Sequence, residues 1–334
     1  MVVPFVNSLT LKSVVEIIDG MIPQQDVDWA MRKVAINRRL IAGPPVFLPL
    51  QTEACFLESL ARKTGERHLG AIIGQHYDYE ELSWYSTYVL SARTLGEAML
   101  RAAKALPVLN PGCRVALERR DQNVVVLFYS GIPTVVGARH IDEGLPCMMI
   151  DLCRRFLGRN WMPAWIETPS ASHGFESSLA QVYDVPLLYR PYGSGIGLDR
   201  QLLDAPNPNS TGAEKKVLLR DLPGLLGVSP PSSFAESVNA VLRVQLMLGD
   251  TSIETVAHCM SLGTQSLQRR LRAEGTSFRD VRNAFLKARA VDLLRETNHS
   301  ITEIAGALGY TETNSFRRAF RTWTGRTPTD FSPT

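Results

Sequence analysis

The chain has 334 residues, 45% of them hydrophobic and 21% charged. This is close to the soluble globular average, excludes a disordered, collagen-like or coiled-coil chain, and suggests two domains at roughly 100–200 residues each. The 36 Lys and Arg exceed the 33 Asp and Glu by three, and the whole excess falls in residues 233–334, which hold 13 basic residues, 12 of them Arg, against 10 acidic ones.

No apolar run approaches the length of about 18 residues that a membrane span needs. The start of the chain, Met1-Val2-Val3-Pro4-Phe5, lacks a basic segment and a long apolar segment, so no secretory signal is expected. Five widely spaced cysteines (Cys55, Cys113, Cys147, Cys153, Cys259) argue against a disulfide framework and for a reducing cytoplasm.

Residues 1–204 read as mixed α and β. Thr94 and Glu97 have capping-box spacing. The helix they open carries Met99, Leu100, Ala103 and Leu106 and is expected to stop near Pro107. A hairpin follows, Arg114–Glu118 and Val124–Tyr129 around a polar turn at Asp121-Gln122-Asn123. Leu145–Leu157 reads as helix. Pro186–Tyr192 and Ile196–Leu198 read as short strands around Gly193-Ser194-Gly195, and Gly193–Gly197 is expected to be a flexible turn, its spacing being wrong for a dinucleotide loop. The strands are not evenly spaced, which favours an α+β domain over a β-barrel. Loop chemistry at 205–212 and 227–233, flanking a short helix at Ala213–Leu222, places a linker at 205–232.

From residue 233 the pattern changes to short amphipathic helices and an internal repeat of about 48 residues. Thr251/Glu254 and Ser300/Glu303 each read as a capping box. Ile253, Val256, Ala257, Met260 and Ile301, Ile304, Ala305, Leu308 both follow the i, i+3, i+4, i+7 spacing of one apolar helix face. Each helix breaks at small residues (Ser261 and Gly263; Gly309) and a second helix follows, its core face set by Leu267 and Leu271 or by Phe316, Ala319, Phe320 and Trp323. Gly275 and Gly325 have C-cap positions. Phe278–Leu294 reads as one long helix holding the copies apart. Helix, tight turn, helix is the helix-turn-helix pattern, present twice.

The second helices leave Thr264, Gln265, Ser266, Gln268, Arg269 and Arg272 outside in one copy, and Thr313, Asn314, Ser315, Arg317, Arg318 and Arg321 in the other. Arg donates bidentately to guanine, and Asn or Gln pairs with adenine. An Arg-rich face on one helix is ordinarily just a solvated face. Its repetition, with matched caps and almost no acid beside it, points instead to two recognition helices reading successive major grooves about 34 Å apart.

The stretches Leu267–Phe278, Glu303–Tyr310 and Ser315–Gly325, followed by Pro328, strongly resemble the AraC/XylS family of bacterial transcription regulators. The resemblance implies a seven-helix unit with two helix-turn-helix motifs, in which Gln265, Gln268, Arg269, Thr313, Asn314, Ser315 and Arg318 occupy DNA-contact positions. One departure is the pair Gly263-Thr264, where the family's first recognition helix usually opens with Ser-Pro. Upstream, Thr94–Ala98, Trp161–Pro163 and Leu198–Pro206 resemble the N-terminal domain of the subgroup labelled "arabinose-binding".

The expectation is therefore an α+β sensor and dimerisation domain (1–204), a linker (205–232) and an all-α double helix-turn-helix domain (233–334). The partners expected are double-stranded promoter DNA, a small-molecule effector, a second copy of the chain and RNA polymerase, with no membrane, metal or cofactor and no enzymatic activity. The six His are scattered without metal-ligand spacing. Trp84, Tyr85, Tyr88, Trp161 and Trp165 read as core more readily than as pocket lining, Arg190 reads as an ordinary surface residue, and no effector-binding residue is named. An N-terminal enzyme, or a regulator switched by a protein partner, are the competing readings. The first would need an acid/base or metal constellation in 1–204, which the sequence does not display.

Overall fold

The computed structural model describes residues 3–171, 176–209, 217–296 and 299–331. Its contacts divide the chain into two compact units, Met1–Pro230 and Pro231–Thr334.

Unit 1 begins with a short antiparallel pair, β1 (Phe5–Asn7) and β2 (Phe47–Pro49), around helices α1 (Ser8–Asp19), α2 (Gln24–Lys33) and α3 (Arg38–Ala42). Helices α4 (Leu50–Thr64), α5 (Leu69–Gln75), α6 (Trp84–Leu90) and α7 (Leu95–Leu109) follow. Thr94 caps α7 by accepting the Glu97 N–H at 3.2 Å, while the Glu97 carboxylate reaches back one residue further than a capping box, to the Arg93 N–H at 2.9 Å. α7 does not stop at Pro107 but continues to Leu109, and Leu100 is exposed rather than part of its core face. Pro107 has no N–H to give the preceding turn, and the helix ends two residues beyond it.

The hairpin forms as β3 (Arg114–Arg120) and β4 (Asn123–Tyr129), closed by Asp121 and Gln122 with Asp121 at φ 51°. Helix α8 (Ala138–Leu157) starts earlier than its Leu145–Leu157 core suggested. With β5 (Trp165–Thr168), β6 (Leu187–Tyr189) and β7 (Ser194–Asp199) the sheet has the order β3-β4-β7-β5-β6, antiparallel except at β5–β6. Helix α9 (Glu176–Tyr183) lies between β5 and β6 in the chain.

One expectation is corrected here. The two expected short strands form as β6 and β7, with β5 between them in the sheet. Ser194–Asp199 is a buried interior strand, not a flexible turn; only Gly193, at φ 77°, turns. Gly197 is there because the Trp165 ring crosses its backbone and leaves no room for a Cβ. A similar constraint acts where α5 packs on α8: a Cβ at Gly70 would overlap the His140 carbonyl.

Past the sheet, Leu222 and Leu226 are buried, around the short helix α10 (Leu222–Leu225). Residues 213–216 of the helix expected at Ala213–Leu222 lie outside the described residues; of the rest, Val217 and Leu218 are not helical, Leu219–Asp221 forms a 3₁₀ turn and Leu222 opens α10.

Unit 2 contains α11 (Phe234–Leu248), α12 (Ile253–Cys259), α13 (Thr264–Ala273), α14 (Phe278–Glu296), α15 (Ile301–Ala307) and α16 (Thr313–Thr324), followed by a 3₁₀ turn, Pro328–Asp330, in seventh place. α14 packs against α11 and α13 and also against α15 and α16. Val256, Ala257, Leu267 and Leu271 are buried in the first copy. In the second copy, Leu286, Ala290 and Leu294 of α14 join Ile304, Ala305, Leu308, Phe316 and Phe320 in one core. Phe320 stacks between Phe316, at 5.7 Å, and Phe331, at 5.3 Å. Ala257 and Ala305 are each 1% exposed, as small residues at a close helix crossing should be.

Candidate nucleic-acid interface and buried cavity

Both helix-turn-helix copies are built by the same local devices. α15 opens with a full capping box: Ser300 Oγ accepts the Glu303 N–H at 3.2 Å, and the Glu303 carboxylate accepts the Ser300 N–H at 2.7 Å. That backbone N–H, more than any other contact, holds the Glu303 carboxyl below its usual range. In the first copy the cap is Ser252, not Thr251; its hydroxyl accepts the Thr255 N–H at 3.3 Å, and Glu254 closes no box. Thr251 is instead buried, and Arg282 of α14 donates to its carbonyl and hydroxyl at 3.1 and 3.0 Å.

α12 and α15 end in matched turns. Leu262 N–H returns to the Ala257 carbonyl and Tyr310 N–H to the Ala305 carbonyl, both at 2.9 Å. The residues at the bend, Ser261 (φ 51°) and Gly309 (φ 80°), lie in the left-handed region. That region costs an L side chain roughly 1–2 kcal/mol and glycine little. The second turn is one residue longer than the first. Hence the caps Ser252 and Ser300 are 48 residues apart, while the core residues Leu267 and Phe316 are 49 apart.

α13 and α16 then present the expected faces. Gln265, Gln268, Arg269 and Arg272 are exposed, with Thr264 and Ser266 half-buried. Asn314, Arg317, Arg318 and Arg321 are exposed, with Thr313 and Ser315 half-buried. No side chain caps the start of α13 at Gly263 or of α16 at Glu312, so the first amides of both helices stay available.

The arginines of the two units differ in their partners. In unit 1, Arg38 binds Asp19 and Asp28 at 2.6 Å each, and Arg155 binds Asp78 and Glu80 at 2.6 Å and Asp151 at 3.2 Å. Arg269, Arg272, Arg317, Arg318 and Arg321 make no ion pair among the described residues; Arg318 donates to the Ser315 hydroxyl at 3.2 Å. Glu274, the acid at the end of α13, is turned away from that face and caps α11, accepting the N–H groups of Phe234 and Ala235 at 2.8 and 2.9 Å. Arg270 leaves the face too, stacking over the Phe234 ring at 5.5 Å. A cleft of about 270 Å³ beside α13 is lined by Ile253, Gln268, Arg272, Ser277, Phe278 and Arg279. Arg279, near the start of α14, falls outside the repeated helix pair.

Unit 1 contains an apolar pocket of about 140 Å³ between α1, α4, α5, α7, α8 and the hairpin strands β3 and β4. Tyr85, from the aromatic cluster, lines it, whereas Trp84 is 38% exposed. Glu53 of α4 also lines it and is 6% exposed; burial raises its carboxyl pKa to about 7. Arg190 is not the free surface residue expected. It donates to Glu167 at 2.9 Å, to Glu118 at 2.8 Å and to the Tyr129 hydroxyl at 3.1 Å. Burial would raise the Glu167 carboxyl, but hydrogen bonds from Trp165, Arg120 and Arg190 outweigh it and hold the pKa below the usual range. Among the described residues no cluster of three or more His, Cys, Asp and Glu side chains could hold a metal ion, and no helix is long and apolar enough to cross a membrane.

Comparison with known proteins bears on both units. Residues 25–207 match the family model described as the arabinose-binding domain of AraC transcription regulator, N-terminal, and residues 256–333 match a helix-turn-helix domain model. The ornithine utilization regulator of Pseudomonas aeruginosa is 24% identical over 272 residues, 80% of this chain and 79% of that protein. The HTH-type transcriptional regulator VqsM of the same organism is 36% identical over 110 residues, 29% of this chain and 34% of that protein. A solved structure, the transcriptional regulator CdpR from Pseudomonas aeruginosa, is 22% identical with a TM-score of 0.42, over 92% of this chain and 96% of that one. The chain belongs to the family of AraC-type DNA-binding transcription regulators that carry the arabinose-binding-type N-terminal domain.

Proposed function

We propose that unit 2 reads promoter DNA with α13 and α16 in successive major grooves, and that unit 1 binds a small effector and pairs with a second copy of the chain. Arg269, Arg318, Gln265, Gln268 and Asn314 face base edges. Arg272, Arg317 and Arg321 serve the phosphates, with Thr264, Ser266, Thr313 and Ser315 near the helix starts, where free amides favour anions. Arg279, sharing a cleft with Gln268 and Arg272, joins the phosphate set.

The observation that carries this reading is the unpaired arginine set on two matched helix faces, in a protein where Arg38, Arg155 and Arg190 are each neutralised by acids. An exposed cation without an internal partner can neutralise phosphate and release counterions. The effector acts by binding one arrangement of the DNA-binding units better than the other, because a ligand shifts an equilibrium only by its differential affinity. The N-terminal family match and the apolar pocket of about 140 Å³ support a small-molecule site in unit 1.

Hydroxyl-radical footprinting on the DNA upstream of the chain's own coding sequence tests the DNA-reading half. Two protected patches one helical turn apart, on one face of the duplex, are expected for each bound unit 2. A single patch would remove one of the two recognition helices from the account.

A further inference from the structure

The cavity in unit 1 holds a carboxylic acid with no partner. Glu53 is buried, and among the described residues no donor or cation offsets its burial. Thr10 Oγ1, Tyr77 Oη and His140 Nδ1, on the same cavity wall, are buried and lack a hydrogen-bond partner. Buried charge persists only when paired, and buried polar atoms are almost always bonded; unpartnered groups gathered around one hollow are what a bound molecule would satisfy.

The rest of the lining restricts what that molecule can be. Tyr77 and Asn110 add groups that can both donate and accept, and no Lys or Arg contributes to the wall. Its histidine, His140, has Nε2 on Glu58 at 3.1 Å and a pKa lowered by burial, so it supplies no cation. A carboxylate or phosphate would meet Glu53 with no cation to neutralise it. A sugar would bury five or more polar groups against a wall that is otherwise leucine, methionine, valine, isoleucine and aromatic rings. The volume of about 140 Å³ is close to that of the roughly 150 Å³ apolar cavity known to admit benzene, so the body of the ligand is about one six-membered ring.

We propose that this cavity is the effector site, and that its ligand is a small monoamine: one ammonium group, held by Glu53 and Thr10, on a compact apolar body seated against Leu57, Leu106, Phe128 and Met148. This rests on the reading of unit 1 as a small-molecule sensor. The ammonium supplies both the counter-charge and the hydrogen-bond donors that Glu53 lacks, while the apolar body excludes water from the pair. Charged hydrogen bonds of this kind are the strong ones, so the amine and not the ring carries the selectivity. The site also reaches across the helical layer. Glu53 lies on α4, five residues before Glu58, whose carboxylate holds Arg139 and His140 of α8 at 3.1 Å each. A ligand clamped between Glu53 and Met148 ties α4 to α8 at a second point.

The test is calorimetric titration of the full chain with benzylamine, benzyl alcohol and benzoate, on wild type, Glu53→Gln and Ala102→Leu. Benzylamine is expected to bind at least tenfold tighter than benzyl alcohol, and benzoate not at all. Glu53→Gln should lower benzylamine affinity at least tenfold and leave benzyl alcohol unchanged, and Ala102→Leu, which fills the cavity, should weaken both. Circular dichroism confirms folding; if Ala102→Leu does not fold, Glu53→Gln decides alone. Equal binding of amine and alcohol, no amine binding, or an unchanged amine affinity in Glu53→Gln overturns the proposal. DNA affinity measured with and without benzylamine separates the two readings. Amine binding at Glu53 with no change in DNA affinity keeps the site and sinks the sensor role. A molecule that changes DNA affinity without displacing benzylamine keeps the sensor role and sinks this site.

Discussion

Replacing Glu53 with glutamine should stabilise the empty protein, by an amount that grows with pH. In the unfolded chain this carboxyl titrates near 4.5; in the folded chain burial raises it to about 7. Below pH 4.5 both states are protonated and there is no difference to lose. Between 4.5 and 7 the unfolded chain gives up the proton while the folded one keeps it, so native stability falls by about 1.4 kcal/mol per pH unit and then levels off. The accumulated penalty is about 3 kcal/mol by pH 8. Glu53→Gln removes it, so the variant should match wild type near pH 4.5 and exceed it by about 3 kcal/mol at pH 8. The groups nearest Glu53 do not blur the window, because burial raises the Tyr77 phenol and the Cys113 thiol and both stay neutral through it. Asp142, also raised to about 7 by burial, has the same sign but is common to both proteins and cancels in the difference. Urea unfolding followed by tryptophan fluorescence reports mainly on unit 1, where four of the five Trp lie. A pH-independent difference, or a variant less stable than wild type at pH 8, would refute the reasoning.

Four further changes probe unit 2, each read by thermal or urea unfolding. Ser261→Gly should stabilise it by about 1 kcal/mol, because the left-handed bend costs serine more than glycine; Gly309→Ala, at the matching bend, should destabilise it by a similar amount. Ser300→Ala should cost about 1 kcal/mol through the lost cap on α15. Phe320→Ala should cost about 3–5 kcal/mol, since the ring is fully buried between Phe316 and Phe331, and should abolish DNA binding by unfolding the second copy.

The recognition helices were legible because their information is local. Leu267 and Leu271, or Phe316 and Phe320, mark one face at a 3.6-residue period, and the opposite face follows by geometry. The first cap was misplaced by one residue because Asp250-Thr251-Ser252 offers three adjacent residues able to cap. What decides among them is Arg282, which occupies Thr251 from 31 residues away. Gly193–Gly197 was misread for a related reason. Glycine signals a turn locally, but at Gly197 it answers to the Trp165 ring on a neighbouring strand. Glu53 gave no signal at all: a glutamate in the first turn of an amphipathic helix is ordinarily solvated, and only the packing of α1, α5, α7 and α8 around it shows otherwise.

The central claim is that the unpaired arginines of α13 and α16 read bases. Its most direct test is the affinity of the full chain for its own upstream DNA at fixed salt, wild type against Arg269→Ala/Arg318→Ala, with folding checked by circular dichroism. Two bidentate base contacts at about 1–3 kcal/mol each predict a loss of roughly 30-fold or more and a relaxed sequence preference at two positions. Wild-type affinity and an unchanged preference in the double variant would contradict it.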